Sequence, residues 1–310
     1  MMALDPRHTD LQTVMNHHAK SFSWAARFLS HSARQDAVLL YAFARTADDL
    51  ADEECLGTSA ERIQRLHVLR DQALKTAGEP GLACDTGAML QRHGVPNDVL
   101  SSFMDSLLAD AGTCQFETQE ELLRFAYGVA GTVGQMMCPI VGASPAATPY
   151  AISLGIGMQL TNIARDVVED AQRKRCYIPA QWRVNAQTLA APINAQQRQQ
   201  AFAAIQRLLA WSDEYYAFAS AGFKAIPTAN RRAIVVASTL YQAIGHKILR
   251  RGADAYWQGR VSLGAAEKSW LLARCALGSV YTLATSPRDV WQQDLAHLTS
   301  VAGFPARNPC

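Results

Sequence analysis

Apolar residues recur at three- and four-residue spacing along nearly the whole chain, the spacing that keeps one face of an α-helix out of water. Two of these stripes, "RIQRLHVLRDQAL" and "LLRFAYGVAGTVG", are preceded by T-x-x-E, with Thr58 and Glu61 before the first and Thr118 and Glu121 before the second. A threonine hydroxyl and a glutamate carboxylate at that spacing can each accept from the other's free backbone N–H, so helix starts are predicted at both places. Breaks are predicted at "GEPG" (78–81), "GVPND" (94–98), "GASPAATP" (142–149), "CYIPAQW" (176–182) and "AIPTAN" (225–230), where glycine and proline cluster. No Asn-Gly or Asp-Gly turn separates two alternating runs, so no sheet is predicted. No low-complexity linker divides the sequence either. The pattern reads as one all-α domain over residues 1–310, with an irregular tail from about residue 302.

Two stretches carry more polarity on one face than packing requires. In "YAFARTADDLAD" (41–52), a helical wheel puts Tyr41, Arg45 and Asp52 within about 60° of Asp48, with Asp49 at the edge and Leu39, Phe43 and Leu50 opposite. Taken alone, this is also the pattern of a solvated face with an Arg45–Asp48 ion pair at i,i+3. In "GIGMQLTNIARDVVED" (155–170), Gln159, Asn162, Asp166, Glu169 and Asp170 share an arc of roughly 100° with no lysine among them. A water-facing stripe of that length normally mixes charges. Acceptors and amides suit hydrated metal ions and their ligand better.

The two stretches share D-x-x-x-D, at 48–52 and 166–170. Carboxylates at i and i+4 project from one face a turn apart. Mg²⁺ takes one or two carboxylates, keeps several waters, and accepts phosphate oxygens as its remaining ligands. Two such helices face to face could therefore hold a Mg²⁺ cluster and, through it, a diphosphate, with Arg45, Arg165 and Arg175 adding bidentate contacts at the rim. A di-iron bundle would need Glu-x-x-His pairs, which these helices lack. The glycines of "GVAGTVG" (128–134) do not match G-x-G-x-x-G and follow no strand, so they read as a small-residue face for close helix approach.

Composition narrows the picture a little further. Twenty-nine basic against 27 acidic residues give +2, too balanced for a nucleic-acid partner. Seven scattered cysteines without C-x-x-C suggest free thiols in a reducing compartment. The opening "MMALDPRHTDLQ" has no signal-peptide core, and no run approaches the ~18 apolar residues of a spanning helix. A cytoplasmic protein is expected, with contact at a membrane surface left open. His17, His18 and His246 read as ordinary structural or surface histidines.

These residues resemble the squalene/phytoene synthase family over a core of roughly residues 15–285. The likeness runs through "KSFSWAARFL" (20–29), "YAFARTADDLAD", "YGVAGTVG" and "QLTNIARDVVEDAQRKRCYIP" (159–179), then "EYYAFASAGFKAIP" and "LYQAIGHKILRRGADAYWQGRV". The resemblance implies an isoprenoid-synthase-type helical bundle around a central apolar cavity, with the last two segments closing its far side. It also implies that Asp48, Asp52, Asp166 and Asp170, joined by Asn162, bind Mg²⁺ (Mn²⁺ as an alternative) and diphosphate. Tyr41, Arg45, Gln159, Arg165, Tyr241 and Arg260 would hold diphosphate or steer the intermediate, and Ser21 and Phe22 would lie near substrate. Two positions depart from the family's pattern: Phe125 stands where a tyrosine is frequent, and Lys174 where a glycine is common.

The activity implied is head-to-head (1′-1) condensation of two geranylgeranyl diphosphates, through a cyclopropylcarbinyl diphosphate, to phytoene, with no NADPH. Sibling reactions on farnesyl diphosphate (dehydrosqualene, presqualene diphosphate or squalene formation) stay open, because prenyl length cannot be read from the motifs. A non-catalytic helical binding protein is the alternative of a different class. The lipid character of substrate and product suggests peripheral membrane association. The motifs carry no signal for oligomeric state.

Overall fold

A computed structural model describes residues 20–52, 57–75, 80–110, 115–184, 186–190, 194–276 and 290–305. Its helices are α1 (Lys20–Ala26), α2 (His31–Asp52), α3 (Ser59–Lys75), α4 (Leu82–Arg92), α5 (Asn97–Asp110), α6 (Gln119–Ala126), α7 (Thr132–Ile140), α8 (Thr148–Gln172), α9 (Ala186–Ala190), α10 (Ala195–Ala221), α11 (Thr228–Tyr256), α12 (Ala265–Ala276) and α13 (Val290–Gln293). Among the described residues there is no strand, and one isolated bridge joins Gln115 to Cys176. None of the described helices is long and apolar enough to cross a membrane. The side chains of Ser21, Phe22 and Asp52 lie outside the described residues, as do Cys55, Cys114, Cys310, His17 and His18.

Both capping boxes form as the sequence predicts. Thr118 accepts from the Glu121 N–H while Glu121 accepts from the Thr118 N–H. At α3 the Thr58 N–H donates to Glu61 Oε2 at 2.8 Å, and the Glu61 N–H returns to Thr58 Oγ1 at 3.3 Å. The breaks at 94–98, 142–149, 176–182 and 225–230 each interrupt or separate helices.

α8 is the axis of the molecule: α7, α9, α10, α11 and the turn before α7 all pack on it. Its contact with α7 needs glycine. A Cβ on Gly134 would stand 2.2 Å from the Ala151 carbonyl oxygen, and one on Gly155 would stand 2.1 Å from that of Ala130. "GVAGTVG" is therefore a close helix contact. Its first residues, Tyr127–Gly131, form a single π-helical turn between α6 and α7; a bulge of one residue leaves no periodic signal long enough to read.

Two apolar cores result. One gathers Ile156, Leu160 and Ile163 of α8 with Leu208 of α10 and Ile244 of α11. The other gathers Leu40 and Phe43 of α2 with Leu66, Met89, Met104 and, from α7, Met136. The two D-x-x-x-D helices thus grow from different cores.

Residues 290–305 lie across the helices as a strap. Trp211 Nε1 of α10 donates to Asp294 Oδ2 at 2.9 Å, and the Tyr215 hydroxyl donates to the same oxygen at 3.4 Å. Further along, Ser102 Oγ of α5 donates to the Ala302 carbonyl, and Gln135 Nε2 of α7 donates to that of Gly303 at 2.9 Å. Phe304 meets the edge of Tyr127 and stacks on Trp291. The predicted irregular tail is non-helical at 302–305, yet it is anchored there; residues 306–310 lie outside the described ones. Cys84, Cys138, Cys176 and Cys275 are free thiols, and burial pushes the Cys138 and Cys176 thiols up from their ordinary pKa.

Candidate active site

The C-terminus of α8 is closed by a backbone motif that sets the second aspartate stretch. The Arg175 N–H donates to the Asp170 carbonyl at 2.9 Å and the Lys174 N–H to that of Ala171 at 3.0 Å, the paired bonds of a Schellman cap. Such a cap needs a left-handed residue, and Lys174 takes it with φ 61°. This is the position where the family commonly has glycine.

α11 reaches the same end of α8 through a break. Gly252 has φ 74° and ψ 177°, which a glycine adopts freely. Beyond it the Tyr256 hydroxyl donates to the Ala164 carbonyl at 2.7 Å and to the Arg165 carbonyl at 3.2 Å. Four residues later Arg260 meets Asp166, its Nε on Oδ1 at 2.7 Å and its Nη2 on Oδ2 at 3.0 Å. The end of "LYQAIGHKILRRGADAYWQGRV" thus bends back to the second aspartate stretch and brings Arg260, which the resemblance assigns to diphosphate, onto Asp166.

Asp166 is held from a second side by Arg165, whose Nε donates to Oδ1 at 2.7 Å and whose Nη2 pairs with Oδ2. Burial alone would raise the Asp166 pKa, but the hydrogen bonds and charges of Arg165 and Arg260 outweigh it and hold the carboxyl below its ordinary value. The carboxylate is ionised and fully engaged at neutral pH.

On α2, Arg45 lies between Asp48, at 3.3 Å, and Asp49, which its Nη2 also pairs. Tyr41, one turn earlier, is pushed up to about 12, first by burial, with Tyr241, Asp48 and Asp49 adding to the rise against the opposing Arg45. Tyr241 of α11 in turn feels Arg165, Asp166 and Arg260. Tyr41 and Tyr241 thus lie within electrostatic reach of one another, which links the first motif to the second.

Asn162 lies a turn before Asp166 on α8. Its Nδ2 donates to Gln159 Oε1 at 3.5 Å, while its Oδ1 is buried with no partner among the described residues. Among those residues no three Asp, Glu, His or Cys side chains converge on a point. The orphaned Asn162 oxygen, Asp166 and Asp170 of α8 and Asp48 of α2 are a sparse set of hard oxygens spread over two helices that does not itself close around an ion. That set fits an ion which takes few protein ligands and completes its shell with water and phosphate oxygens.

The structure joins Arg165, Asp166 and Arg260 directly, with Asn162 and Gln159 earlier on α8, and joins Arg45 to Asp48 on α2, while Tyr41 and Tyr241 are within electrostatic reach of both groups. Asp170 lies at the edge, where its charge helps raise the Cys176 thiol. Phe125, the other departure from the family's pattern, stacks on Tyr177 of the 176–182 loop with centroids 5.1 Å apart. His246 faces Asp213 at 3.4 Å. Sequence reasoning missed the Tyr256 hook and placed Asp49 only at the margin. A hydroxyl bonded to a distant carbonyl leaves no pattern, whereas Asp49 stands four residues after Arg45 and could have been read as its i,i+4 partner.

The arrangement of helices is shared with solved structures of a dehydrosqualene synthase and a squalene synthase. The crystal structure of a dehydrosqualene synthase superimposes with a TM-score of 0.76 at 24% identity, covering 88% of this chain and 96% of that one. A squalene synthase from Alicyclobacillus acidocaldarius gives 0.65 at 18%, covering 78% and 93%. The fold is the isoprenoid-synthase helical bundle.

The chain belongs to the squalene/phytoene synthase family, whose sequence profile matches residues 15–267. It is 34% identical over 299 residues to the 15-cis-phytoene synthase of Enterobacter agglomerans, across 89% of this chain and 98% of that protein. It is also 34% identical over 264 residues to the enzyme of the same name from Paracoccus sp., across 82% and 86%.

Proposed function

We propose that this enzyme condenses two geranylgeranyl diphosphates head to head to phytoene, a prenyl transfer of carotenoid synthesis, with Mg²⁺ as its resident ion. The observation that carries the reading is the Asp166 carboxylate between Arg165 and Arg260, a turn after the unpartnered Asn162 oxygen. Relatives named phytoene synthase, similar over most of the chain, support the substrate.

In this reading Asp48, Asp52, Asp166, Asp170 and Asn162 would hold the divalent ions. When bound, these neutralise the charge on a departing diphosphate. Arg45, Arg165 and Arg260 offer planar guanidinium forks to its phosphate oxygens, so an arriving diphosphate competes with Asp166 for two of them. Tyr41, raised to about 12, keeps its proton at neutral pH and serves as a hydroxyl donor. Half-buried Phe125 and Met158 lie against one core and Val129, Val133 and Met137 against the other, so in this reading the apolar strip between the cores would take the prenyl chains. That strip would keep water from the cations.

The bonds change in two ionisations. The C–O bond of one substrate breaks, the C2–C3 alkene of the second attacks the freed C1, and a proton leaves as the cyclopropane closes. The second C–O bond then breaks, the ring rearranges, and loss of a second proton forms the central double bond. Released diphosphate can accept these protons. The sequence is redox-neutral and calls for no NADPH. Ser21, Phe22 and Gln159 are assigned to substrate contact by family likeness. A peripheral membrane contact belongs to the same reading, because substrate and product are lipids.

The test is extraction of hydrocarbons after incubating purified protein and Mg²⁺ with geranylgeranyl or farnesyl diphosphate, with and without NADPH. A C40 triene indifferent to NADPH is expected. A C30 product alone would move the enzyme to a sibling reaction, and no product from either substrate would overturn the reading.

A further inference from the structure

We infer that the outer face formed by the second half of α11 and by α12 docks the protein on an anionic phospholipid bilayer, with Trp270 seated at the interface. The inference deepens the peripheral contact proposed above by naming its surface. Trp270 is 56% exposed, although α12 has a buried side, occupied by Lys268 and Leu271, on which an indole could have packed. On the wheel Glu267, Trp270 and Arg274 fall within about 60° of one another, and the Arg274 guanidinium lies 4.7 Å from the Trp270 ring centroid.

The basic part of the face comes from α11. Lys247 Nζ donates to Glu267 at 2.6 Å and to the Ser262 carbonyl at 2.9 Å. Arg250 is near enough to add to the depression of the Glu267 pKa, whose largest causes are the Lys247 and Gly264 hydrogen bonds. Lys247 and Arg250 thus meet at the Glu267 carboxylate, on the same side of α12 as the Trp270–Arg274 pair, with exposed Arg251 beside Arg250 in sequence. Residues 244–276 hold six lysines and arginines against Asp254 and Glu267, in a chain otherwise near balance.

An exposed indole flanked by guanidinium groups suits the headgroup level of a bilayer, where an amphipathic ring and cationic side chains are both favoured. Arg260, which grips Asp166, lies seven residues before Glu267 in this same segment. The face therefore adjoins the site that would take up lipid substrates.

The test is co-sedimentation of the full chain with vesicles of pure phosphatidylcholine, or of equal parts phosphatidylcholine and phosphatidylglycerol. Wild type should bind the mixed vesicles and release at high salt. Trp270→Ala and Arg250→Glu should each weaken binding about five-fold or more. Arg124→Glu, the same charge change on α6, should not. Arg250 is exposed, so its variant keeps the test decisive if Trp270→Ala misfolds. Equal binding to pure phosphatidylcholine, no binding by wild type, or site variants that match Arg124→Glu would each overturn the inference. No prenyl diphosphate is present, so failure here is separate from failure of the reaction.

Discussion

Arg260 and Asp166 meet in a two-point contact across 94 residues of sequence. The contact ties the return segment after Gly252 to the second aspartate stretch, yet the Arg260 side chain is 55% exposed. An exposed pair adds little stability, about 0–1 kcal/mol, so the arginine's value lies in the site. Arg260→Ala should lower kcat/KM by about 100-fold or more while shifting Tm by no more than ~2 °C. Arg260→Lys, which keeps the charge but not the fork, should recover only part of the activity. Steady-state kinetics and calorimetry on both variants check this.

The aspartates of the two stretches should differ in what they contribute to stability. Asp48 is 46% exposed beside Arg45, whereas Asp166 and Arg165 are 20% and 16% exposed. Asp48→Asn and Asp166→Asn should both reduce turnover by about 100-fold or more. Asp48→Asn should cost under ~1 kcal/mol of stability. Asp166→Asn leaves a half-buried guanidinium uncompensated and should cost about 1–3 kcal/mol.

That difference carries a pH signature. The Asp166 pKa lies below its ordinary 3.8 in the folded state, so the unfolded chain binds its proton first as pH falls. The stabilising contribution is therefore complete well above 3.8 and is lost as pH drops through the folded value. The Tm gap between wild type and Asp166→Asn should be constant near neutrality and close below about pH 4, in melts run across that range.

Lys174 holds a left-handed conformation at the end of α8. Glycine carries no Cβ penalty there. Lys174→Gly should raise stability by about 0.5–1 kcal/mol with turnover unchanged, read as Tm and kcat side by side. A fall in Tm would mean that the lysine side chain supports the loop.

Gly134 is a packing position. Its substitution to alanine places Cβ against the Ala151 carbonyl oxygen, and backbone cannot step aside cheaply. Gly134→Ala should cost about 2–3 kcal/mol. At Gly264 the nearest atom to an added Cβ is Glu267 Oε2 at 3.5 Å, so Gly264→Ala should change stability by less than ~0.5 kcal/mol. Denaturant titrations of the two variants separate the cases.

How much of this was legible depended on whether a feature repeats or pairs locally. The capping boxes, the glycine contact of α7 with α8 and the polar faces of α2 and α8 all follow from i,i+3 and i,i+4 spacing, and the structure has them. Arg260 could be assigned to the site only through family likeness, because nothing near it in sequence announces Asp166. The π turn at 127–131, the break at Gly252 and the Tyr256 bonds to α8 carbonyls were invisible. Each is a single-residue geometry or a long-range bond to backbone, which has no sequence identity to read.

The strap of residues 290–305 bears on the order in which the molecule can be built. Ser102 waits 200 residues for the carbonyl it bonds at Ala302, and Trp211 and Tyr215 wait about eighty for Asp294. During translation, α5, α7 and α10 therefore leave the ribosome with these aromatic and polar side chains uncovered. A chain stopped before residue 290 leaves Trp211, Tyr215 and Gln135 without the hydrogen-bond partners that the strap supplies. The strap is thus a late-arriving cover: helices made much earlier obtain these partners only once residues 290–305 have been added.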